Sequence, residues 1–461
     1  MQLPVAVHAP RISLPALPLL LALTLNLILA PHLSTAYGFQ TLIHLPEGSE
    51  DSLDELLLES QRENTRPRPT QDTPLPPQIP KTLQLTGDQT AEKVTETEAE
   101  NPLTAEQRHR KTLLAKCLAI YYTRQVDAEV LRPWSIMHGL IGYGEETRII
   151  YRGRRLNATE YLCANGIGDD RRILRVDQGQ LKTRVGPGVQ GHEAQLLAML
   201  AQANVSAEQP LTVDGQSFQV QDLIETEMRN CRSNTELTFR LLSLSHYLDT
   251  EQTWENDQRE EWSLGRLLRE ELTEPVNEGA CGGTHRLMAL SYALEQRRRE
   301  QRPIDGDWYR AQKFIDDFHE YTWHFQHRNG SFSTGWFKEK SFSADVEKKL
   351  YSTGHILEWL VFSLPKQDLQ DPRVTRCVDF ILNLMLAAPN YDLAVGPRGH
   401  ALHALRMYEE KVFEKSDFTK YMNNQRLVKN NPQNAGGGAS SKPEGPRVFP
   451  AGMRRGIFGR R

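Results

Sequence analysis

The residues with the clearest chemical potential are histidines placed directly before or inside apolar helical stretches. The stretch "GACGGTHRLMALSYAL", which begins at Gly279, combines Cys281, two glycines and His285. Similar arrangements occur in "PWSIMHGLIGYG", "VGPGVQGHEAQLLAML", "YSTGHILEWLVFSLP" and "VGPRGHALHALRMY". We predict that the imidazoles of these stretches line one bowl, and that Glu236 faces the same bowl from a further helix. These histidines are His138, His192, His285, His355 and His400.

The predicted chemistry of these histidines follows from their place at helix starts. The free N–H groups and positive dipole end of a helix disfavour an imidazolium ion, so each ring is expected to stay neutral and act as a hydrogen-bond partner, base or metal ligand. We predict His285 and His355 as acid/base residues, with Glu358 orienting His355 from one turn away; the alternative is that Glu358 merely faces the neighbouring helix. We expect His192 and His400 to contact substrate. Alternatively, each histidine caps its helix or packs against a neighbouring hairpin.

A zinc site is a second hypothesis for the same stretch. Cys281 and His285 are four residues apart and lie on one side of a helix that begins early enough. With His355 or His400 as a third ligand they could hold Zn²⁺, for which thiolate and imidazole are the usual ligands. Two ligands in a glycine-rich turn are fewer than the four of a tetrahedral zinc site, so zinc binding remains an alternative. No other cofactor is predicted.

Glycan chemistry requires a different set of residues. Cleavage of a glycosidic bond needs two carboxylates, or a base and a tyrosine acid, that face each other across the bowl. The candidates are Glu236, Asp249, Asp345, Glu358, Tyr292 and Tyr351, with Trp336 and Trp359 as stacking platforms. The alternative for the aromatic residues is ordinary core packing. The predicted substrate-binding residues are His138, His192, Glu236, His400, Trp336, Trp359 and Tyr292.

The elements that carry these residues are helices in pairs. Six times, an amphipathic segment precedes one that is nearly apolar all round, as "DWYRAQKFIDDFHEYTWHFQ" precedes "TGHILEWLVFSLP". A helix that is apolar on every side must be surrounded by protein. We therefore predict an all-α fold, an (α/α)6 toroid of six helical hairpins with the apolar helices inside. Small β-hairpins are predicted in "RIIYRGRRLN", "ILRVDQGQLKTR" and "LTVDGQSFQV".

The two ends of the chain differ from this body. Residues 1–36 read as a signal peptide, with "SLPALPLLLALTLNLILA" as its apolar core, or alternatively as an uncleaved membrane anchor. Residues 37–104 are rich in Pro, Thr and Glu and predict a disordered linker. The toroid domain is expected at 105–425, and a disordered basic tail at 426–461. The predicted location is therefore outside the cytoplasm, in the periplasm or held on the membrane by the N-terminal segment.

Composition limits the partners. The net charge is −4 at pH 7 and gives no electrostatic reason to expect nucleic-acid binding. The five cysteines are an odd number, so at most two disulfides can form, and Cys281 is the candidate free thiol. Membrane association through the N-terminal segment remains possible, and the sequence does not determine the oligomeric state.

Two resemblances extend this interpretation. "FQHRNGSFSTGWF" resembles the Gln-x-x-x-Gly-x-aromatic element that staples helices together in terpenoid cyclase and prenyltransferase toroids. The set "LRPWSIMHGLIGYG", "GPGVQGH", "ELTFRLLSLSHYLDT", "ACGGTHRLMALSYAL" and "GPRGHALHAL" resembles a family of uncharacterised secreted or membrane-anchored planctomycete proteins, over about residues 105–413. This resemblance implies export and a toroid body, and no established activity. The cyclase motif "DxDD" is missing, and "ACGG" is only faintly similar to the zinc motif of lanthionine cyclases.

The combined prediction is an exported toroid with a histidine-lined bowl. Its expected ligand is polyhydroxylated or polymeric, a glycan or cell-envelope polymer, and its expected chemistry is that of a hydrolase or lyase. The alternatives are a non-catalytic periplasmic scaffold or binding module, and a zinc-dependent enzyme that uses Cys281.

Overall fold

The chain folds mainly into α-helices, with small β-hairpins between some of them. In the computed structural model, residues 103–387, 389, 391–414 and 418 are described. The expected signal peptide (1–36), the basic tail (426–461) and all but the last two residues of the expected linker lie outside the described residues. The helical expectation and the three predicted hairpins are confirmed.

The described residues form twelve α-helices, numbered here in chain order. They are α1 (Ala105–Tyr122), α2 (Pro133–Tyr143), α3 (Ala158–Cys163), α4 (Gln195–Gln202), α5 (Val220–Arg229), α6 (Thr238–Tyr247), α7 (Leu264–Glu271), α8 (Thr284–Arg299), α9 (Gly306–Thr322), α10 (Val346–Ser363), α11 (Pro372–Ala387) and α12 (Val395–Phe413).

The even-numbered helices form the core. All residues of α4 are buried, as are residues 352–361 of α10 and 395–405 of α12. The odd-numbered helices are amphipathic: α9 buries positions at helical spacing, from Trp308 through Ala311 and Ile315 to His319. The predicted difference between the two helices of each pair is therefore present, and the apolar helix is the buried one.

Contacts between the even-numbered helices connect each of them to two others. α2 packs against α4, α4 against α6, α6 against α8, α8 against α10, α10 against α12, and α12 against α2. The odd-numbered helices pack on this set, for example α9 on α8 and α1 on α12. The two most extensive contacts are those of α12 with α10 and with α2.

Glycines allow the closest of these helix contacts. A Cβ atom on Gly399 of α12 would lie 2.2 Å from the carbonyl oxygen of His138 in α2. A Cβ on Gly354 of α10 would lie 3.3 Å from the Cβ of Ala401. The glycines that precede His355 and His400 therefore serve close packing of one helix on another, rather than a left-handed turn at a helix start.

The β-structure consists of short strands at the connections between helices. The predicted hairpins are β2–β3, β4–β5 and β6–β7, and positive φ angles at Asp214 (52°) and Gly215 (78°) confirm the turn expected for the last one. The hairpin β8–β9 was not predicted. The strands are β1 (Val126–Asp127), β2 (Arg148–Tyr151), β3 (Arg154–Asn157), β4 (Leu174–Asp177), β5 (Gln180–Thr183), β6 (Pro210–Val213), β7 (Gln216–Gln219), β8 (Thr253–Glu255) and β9 (Glu261–Ser263).

The loop "FQHRNGSFSTGWF" ties α10 to α11. The side chain of Gln326 donates to the carbonyl of Arg373 at 2.8 Å, and the backbone N–H of Phe332 donates to Thr353 Oγ1 at 3.1 Å. A Cβ on Gly330 would lie 2.2 Å from the carbonyl oxygen of Arg376. The loop thus joins helices, which is the role that the resemblance implied for it.

All five cysteines are free, so neither of the two disulfides that the count permitted is formed. Four of them are buried, and Cys281 is partly exposed. Among the described helices, none combines the length and the apolar character required to cross a bilayer.

Candidate functional site

Four imidazole rings meet in the core, one from each of four even-numbered helices. His355 and His400 are closest, with ring centroids 3.7 Å apart. His285 lies 5.2 Å from His400 and 5.4 Å from His355, and His138 lies 5.6 Å from His400. We call these four residues the histidine cluster. All four side chains are almost fully buried.

Contrary to the prediction, the histidines of the cluster do not all lie at the starts of their helices. Only His285 lies in the first turn of its helix, α8. His138 and His400 lie in the second turns of α2 and α12, and His355 in the third turn of α10. These helices begin earlier in the chain than the glycines before the histidines suggested. For example, α10 begins directly after its N-cap residue Asp345, well before His355. Burial, rather than the helix dipole, therefore determines the state of these rings.

Hydrogen bonds on one ring nitrogen leave the other nitrogen of each ring available. The Nδ1–H groups of His138 and His355 donate to the carbonyls of Trp134 and Tyr351, both at 2.7 Å. With Nδ1 protonated in a neutral imidazole, Nε2 carries a lone pair. The Nε2 atoms of His285, His355 and His400 are buried and have no hydrogen-bond partner among the described residues. His355 and His400, whose Nδ1–H groups donate, therefore present two unpaired Nε2 acceptors beside the buried ring of His285, and such a group calls for a ligand or a cation.

Glu358 holds His400 and does not hold His355. Its two carboxylate oxygens accept Nδ1–H bonds from His400 (2.7 Å) and His403 (2.6 Å). The predicted pairing of Glu358 with His355 is not formed: Glu358 faces the neighbouring helix α12, which was the alternative, and the Nδ1–H of His355 donates to a carbonyl of its own helix. His403 was missed in the sequence, although its spacing of three residues from His400 puts both rings on one helix face.

Cys281 reaches the cluster from a left-handed turn just before α8. Cys281, Gly282 and Gly283 have φ angles of 51°, 64° and 89°. A Cβ on Gly283 would lie 1.9 Å from the carbonyl oxygen of Val276, so the turn requires glycine there. The Cys281 thiol lies 3.2 Å from the hydroxyl of Tyr351. Ligand atoms of three residues lie within 4.8 Å of one another: Cys281, His285 and His355.

Burial keeps the site uncharged. It lowers the pKa of His138 and of His400 to about 3, and for His138 the neighbouring imidazoles act in the same direction. Burial also places the pKa of His285 and His355 well below the usual value for histidine, again with a contribution from nearby rings. The same desolvation raises the pKa of the Cys281 thiol to about 12, against an opposing hydrogen bond with Tyr351. Neutral imidazoles are the form that binds metals.

His192 and Glu236 form a separate pair next to the cluster. The Nδ1–H of His192 donates to Glu236 at 2.7 Å, and the ring of Phe239 lies 5.0 Å from both His192 and His285. Burial acts to raise the pKa of Glu236, but the bond from His192 and nearby arginine charges outweigh it, so the pKa is lower than usual. Glu236 is 29% exposed, so this pair marks the solvent side of the site.

Trp336 covers the turn that carries Cys281. It is partly exposed, its ring lies 5.1 Å from that of Tyr351 and 5.7 Å from that of His355, and a Cβ on Gly282 would collide with it. The backbone of Trp336 is itself left-handed, with φ at 55°. It therefore borders the cluster, and its role as a stacking platform for substrate stays a prediction.

Several predicted residues lie elsewhere. Trp359 is completely buried, donates to Ser291 and stacks on His319, so it belongs to the core and is not a platform for substrate. Tyr292 stacks on Phe362 with ring centroids 4.2 Å apart. Two further carboxylate candidates have structural partners. Asp249 pairs with Arg302, and Asp345 caps α10.

His319 offers a pH-dependent readout outside the cluster. Burial lowers its pKa to about 4, so the folded state keeps it neutral where the unfolded chain, with a pKa of about 6.5, takes up a proton. Stability from this residue is thus present above pH 6.5 and is lost as the pH falls. Between pH 6.5 and pH 5, we expect the free energy of unfolding to decrease by about 2 kcal/mol more in the wild type than in His319→Gln. Urea unfolding at several pH values measures this, and parallel curves would contradict it.

No protein-family model, curated protein or solved structure matches this chain. The family resemblance noted in the sequence therefore stays a prediction, and the assignment of function rests on the site itself.

Proposed function

We propose that this protein is a zinc-dependent hydrolase built on an (α/α)6 toroid. The toroid is supported by the helix contacts, in which α2, α4, α6, α8, α10 and α12 each adjoin the next and α12 adjoins α2. In this arrangement the even-numbered helices surround a common axis, and side chains from helices far apart in the chain meet at one end of it.

The proposed zinc ligands are Cys281, His285 and His355. The observation that carries the proposal is the approach of their ligand atoms to within 4.8 Å, where the buried Nε2 atoms of both histidines have no other partner. Ligand atoms around one tetrahedral zinc are about 3.3–3.6 Å apart, given bond lengths of about 2.0–2.3 Å. The separations of up to 4.8 Å are therefore wider than those in a filled site, and zinc would have to draw the side chains together by up to about 1.5 Å. One thiolate with two imidazoles suits zinc better than the hard cations Mg²⁺ and Ca²⁺.

This assignment changes the roles predicted for two histidines. His285 and His355 become ligands instead of acid/base residues, and the Nδ1–H bond of His355 to the Tyr351 carbonyl becomes the outer contact that fixes its tautomer. A cation there also accounts for a thiol in this position, since a coordinating thiol is deprotonated whatever its pKa without metal.

Hydrolysis is the reaction class that three ligands support. Cys281, His285 and His355 would hold the zinc, and a zinc with three protein ligands would supply an activated water as the nucleophile, with a pKa of about 7. His400 is the proposed hydrogen-bond acceptor that would orient this water: its Nε2 has no partner among the described residues and its ring lies 3.7 Å from that of His355. The Nδ1–H of His400 donates to Glu358, so the neutral ring presents the Nε2 lone pair in a fixed orientation.

The proposed substrate is a polyhydroxylated or polymeric molecule of the cell envelope, reached after export. Trp336 is partly exposed beside His355 and would supply an aromatic surface, and Glu236, which is 29% exposed and bonded to His192, would supply polar contacts. A two-carboxylate glycosidase is less well supported, because both oxygens of Glu358 are occupied by His400 and His403. Hydrolysis through zinc-bound water needs no second carboxylate.

Metal removal tests the proposal on the full chain. We expect the purified protein to contain one zinc per chain by elemental analysis, and dialysis against a chelator to lower its thermal midpoint and abolish hydrolysis of envelope polymers or ester substrates. Added zinc should restore both. Protein that takes up no stoichiometric zinc would refute the metal site. Zinc uptake that raises the midpoint, without hydrolysis of any substrate, would show a structural metal in a scaffold instead.

A further inference from the structure

Arg398 is a buried arginine without a partner among the described residues, and it lies on the side of α12 opposite to His400 of the histidine cluster. Arg398 is 8% exposed. Among the described residues its guanidinium forms no ion pair and no hydrogen bond. Two residues separate it from His400, so the two side chains leave the helix in nearly opposite directions. A buried cation normally has an anionic partner, because leaving it uncompensated costs free energy.

Arg398 borders a small cavity that two further arginines line. The cavity has a volume of about 30 Å³ and lies between α1, α2 and α12. Of the two further arginines, Arg148 is paired with Glu146 at 3.7 Å and Arg124 donates to the Tyr391 carbonyl at 3.0 Å, so Arg398 is the main cation of the cavity. Val395 also lines the cavity and is the first residue of α12, where the positive end of the helix dipole lies. Its other walls include the rings of Tyr121 and Tyr143, whose hydroxyls donate to the carbonyls of Met385 and Leu118.

The nearby carboxylates do not neutralise Arg398. Glu347 and Asp392 act on it only through longer-range electrostatics. Glu347 accepts the backbone N–H of Ala394 with Oε1 at 3.1 Å, and its Oε2 is buried without a hydrogen-bond partner. A rotation of Glu347 toward Arg398 is the internal alternative to an external anion, and the two cases make opposite predictions.

We propose that Arg398 and this cavity bind one small oxyanion of the size of inorganic phosphate. The guanidinium presents paired N–H donors that match two oxygens of such an anion. The size of the cavity sets the limit on the ligand: about 10–15 Å³ suffices for one water, so 30 Å³ admits a few atoms, whereas pockets for nucleotides or sugars measure about 300–1,000 Å³. This site is independent of the proposed zinc site.

Titration of the full chain with sodium phosphate tests the site. Ionic strength is held constant with sodium chloride, and binding is followed by calorimetry and by the thermal midpoint. We expect the wild type to bind one phosphate per chain and its midpoint to rise with phosphate concentration. Arg398→Gln should weaken binding at least tenfold and remove the rise. Arg310→Gln, on the exposed face of α9, is the matched control and should behave as the wild type.

Stability without phosphate separates the two explanations of Arg398. If the guanidinium has no anionic partner in the free protein, Arg398→Gln should unfold at the same temperature as the wild type, or at a higher one, in phosphate-free buffer. At high phosphate concentration the wild type should unfold at the higher temperature. Glu347→Gln should strengthen phosphate binding by removing a competing negative charge. A large loss of stability in phosphate-free Arg398→Gln would show an internal pair with Glu347 and overturn the proposal, as would an equal midpoint rise with chloride or in Arg398→Gln.

Discussion

Cys281→Ser is expected to weaken zinc binding by at least about 100-fold, beyond the 10- to 100-fold typical of losses in the outer contacts of a metal site. Serine can keep the hydrogen bond to Tyr351 and the left-handed turn at no greater strain, so the fold should persist. What is lost is the soft, anionic ligand that makes the site selective for zinc. Competition with a chromogenic chelator measures the affinity.

Two comparisons make this result interpretable. Cys163→Ala removes a buried thiol for which the structure shows no hydrogen bond, and this variant should keep one zinc per chain at wild-type affinity. Glu358→Gln should also keep zinc at near wild-type affinity, because it weakens the bond that orients His400 and contacts none of the three proposed ligands. Zinc affinity in Cys281→Ser within tenfold of the wild type would exclude the thiolate as a ligand.

Glu271→Ala is expected to have the largest effect on stability, a loss of about 3–5 kcal/mol in the free energy of unfolding. The Glu271 carboxylate is 1% exposed and accepts three hydrogen bonds, from the backbone N–H of Leu237 (3.0 Å), from Thr238 Oγ1 (2.7 Å) and from Arg286 Nε (2.9 Å). It therefore joins α7 to the start of α6 and to α8. Its removal leaves the buried guanidinium of Arg286 without its anionic partner.

Urea unfolding of Glu271→Ala and of an exposed counterpart measures this difference. Asp317→Ala breaks the exposed pair with Lys313 on α9 and should leave the unfolding midpoint nearly unchanged, because exposed pairs contribute little. Glu271→Gln should lie between them, since its amide oxygen can still accept one or two of the three bonds. If Glu271→Ala lowers the free energy of unfolding by less than about 1 kcal/mol, the buried pair of Glu271 and Arg286 does not stabilise the fold more than apolar side chains would, and the prediction is wrong.

The sequence was sufficient for the helices, for three of the four hairpins in the described residues and for the four histidines of the cluster, although it also placed His192 and Glu236 with them and missed His403. Hydrophobic periodicity distinguished amphipathic from fully apolar helices, and this difference corresponds to burial because a helix without a polar face must be enclosed. The hairpin turns at Arg152-Gly153, Gln178-Gly179 and Asp214-Gly215 were recognisable because they need positive φ angles. The recurrence of histidine in the apolar helices selected all four residues of the cluster.

Only the tertiary structure decided which of these side chains work together. Helix bounds shift by a turn or more with capping, as at Asp345, so the distance of a histidine from a helix start could not be read from the glycine before it. The partner of Glu358 lies on another helix, and the local spacing to His355 was therefore misleading.

The sequence by itself thus determined a mainly helical protein with histidines in its apolar helices; it predicted neutral imidazoles from the helix dipole, whereas burial, which only the structure shows, is the cause. The tertiary structure decided that His285 and His355 approach the thiol of Cys281, that Trp359 is core while Trp336 borders the site, and that Arg398 is left without a partner. These outcomes depend on contacts between residues up to hundreds of positions apart, and no local pattern carries the geometry of such contacts.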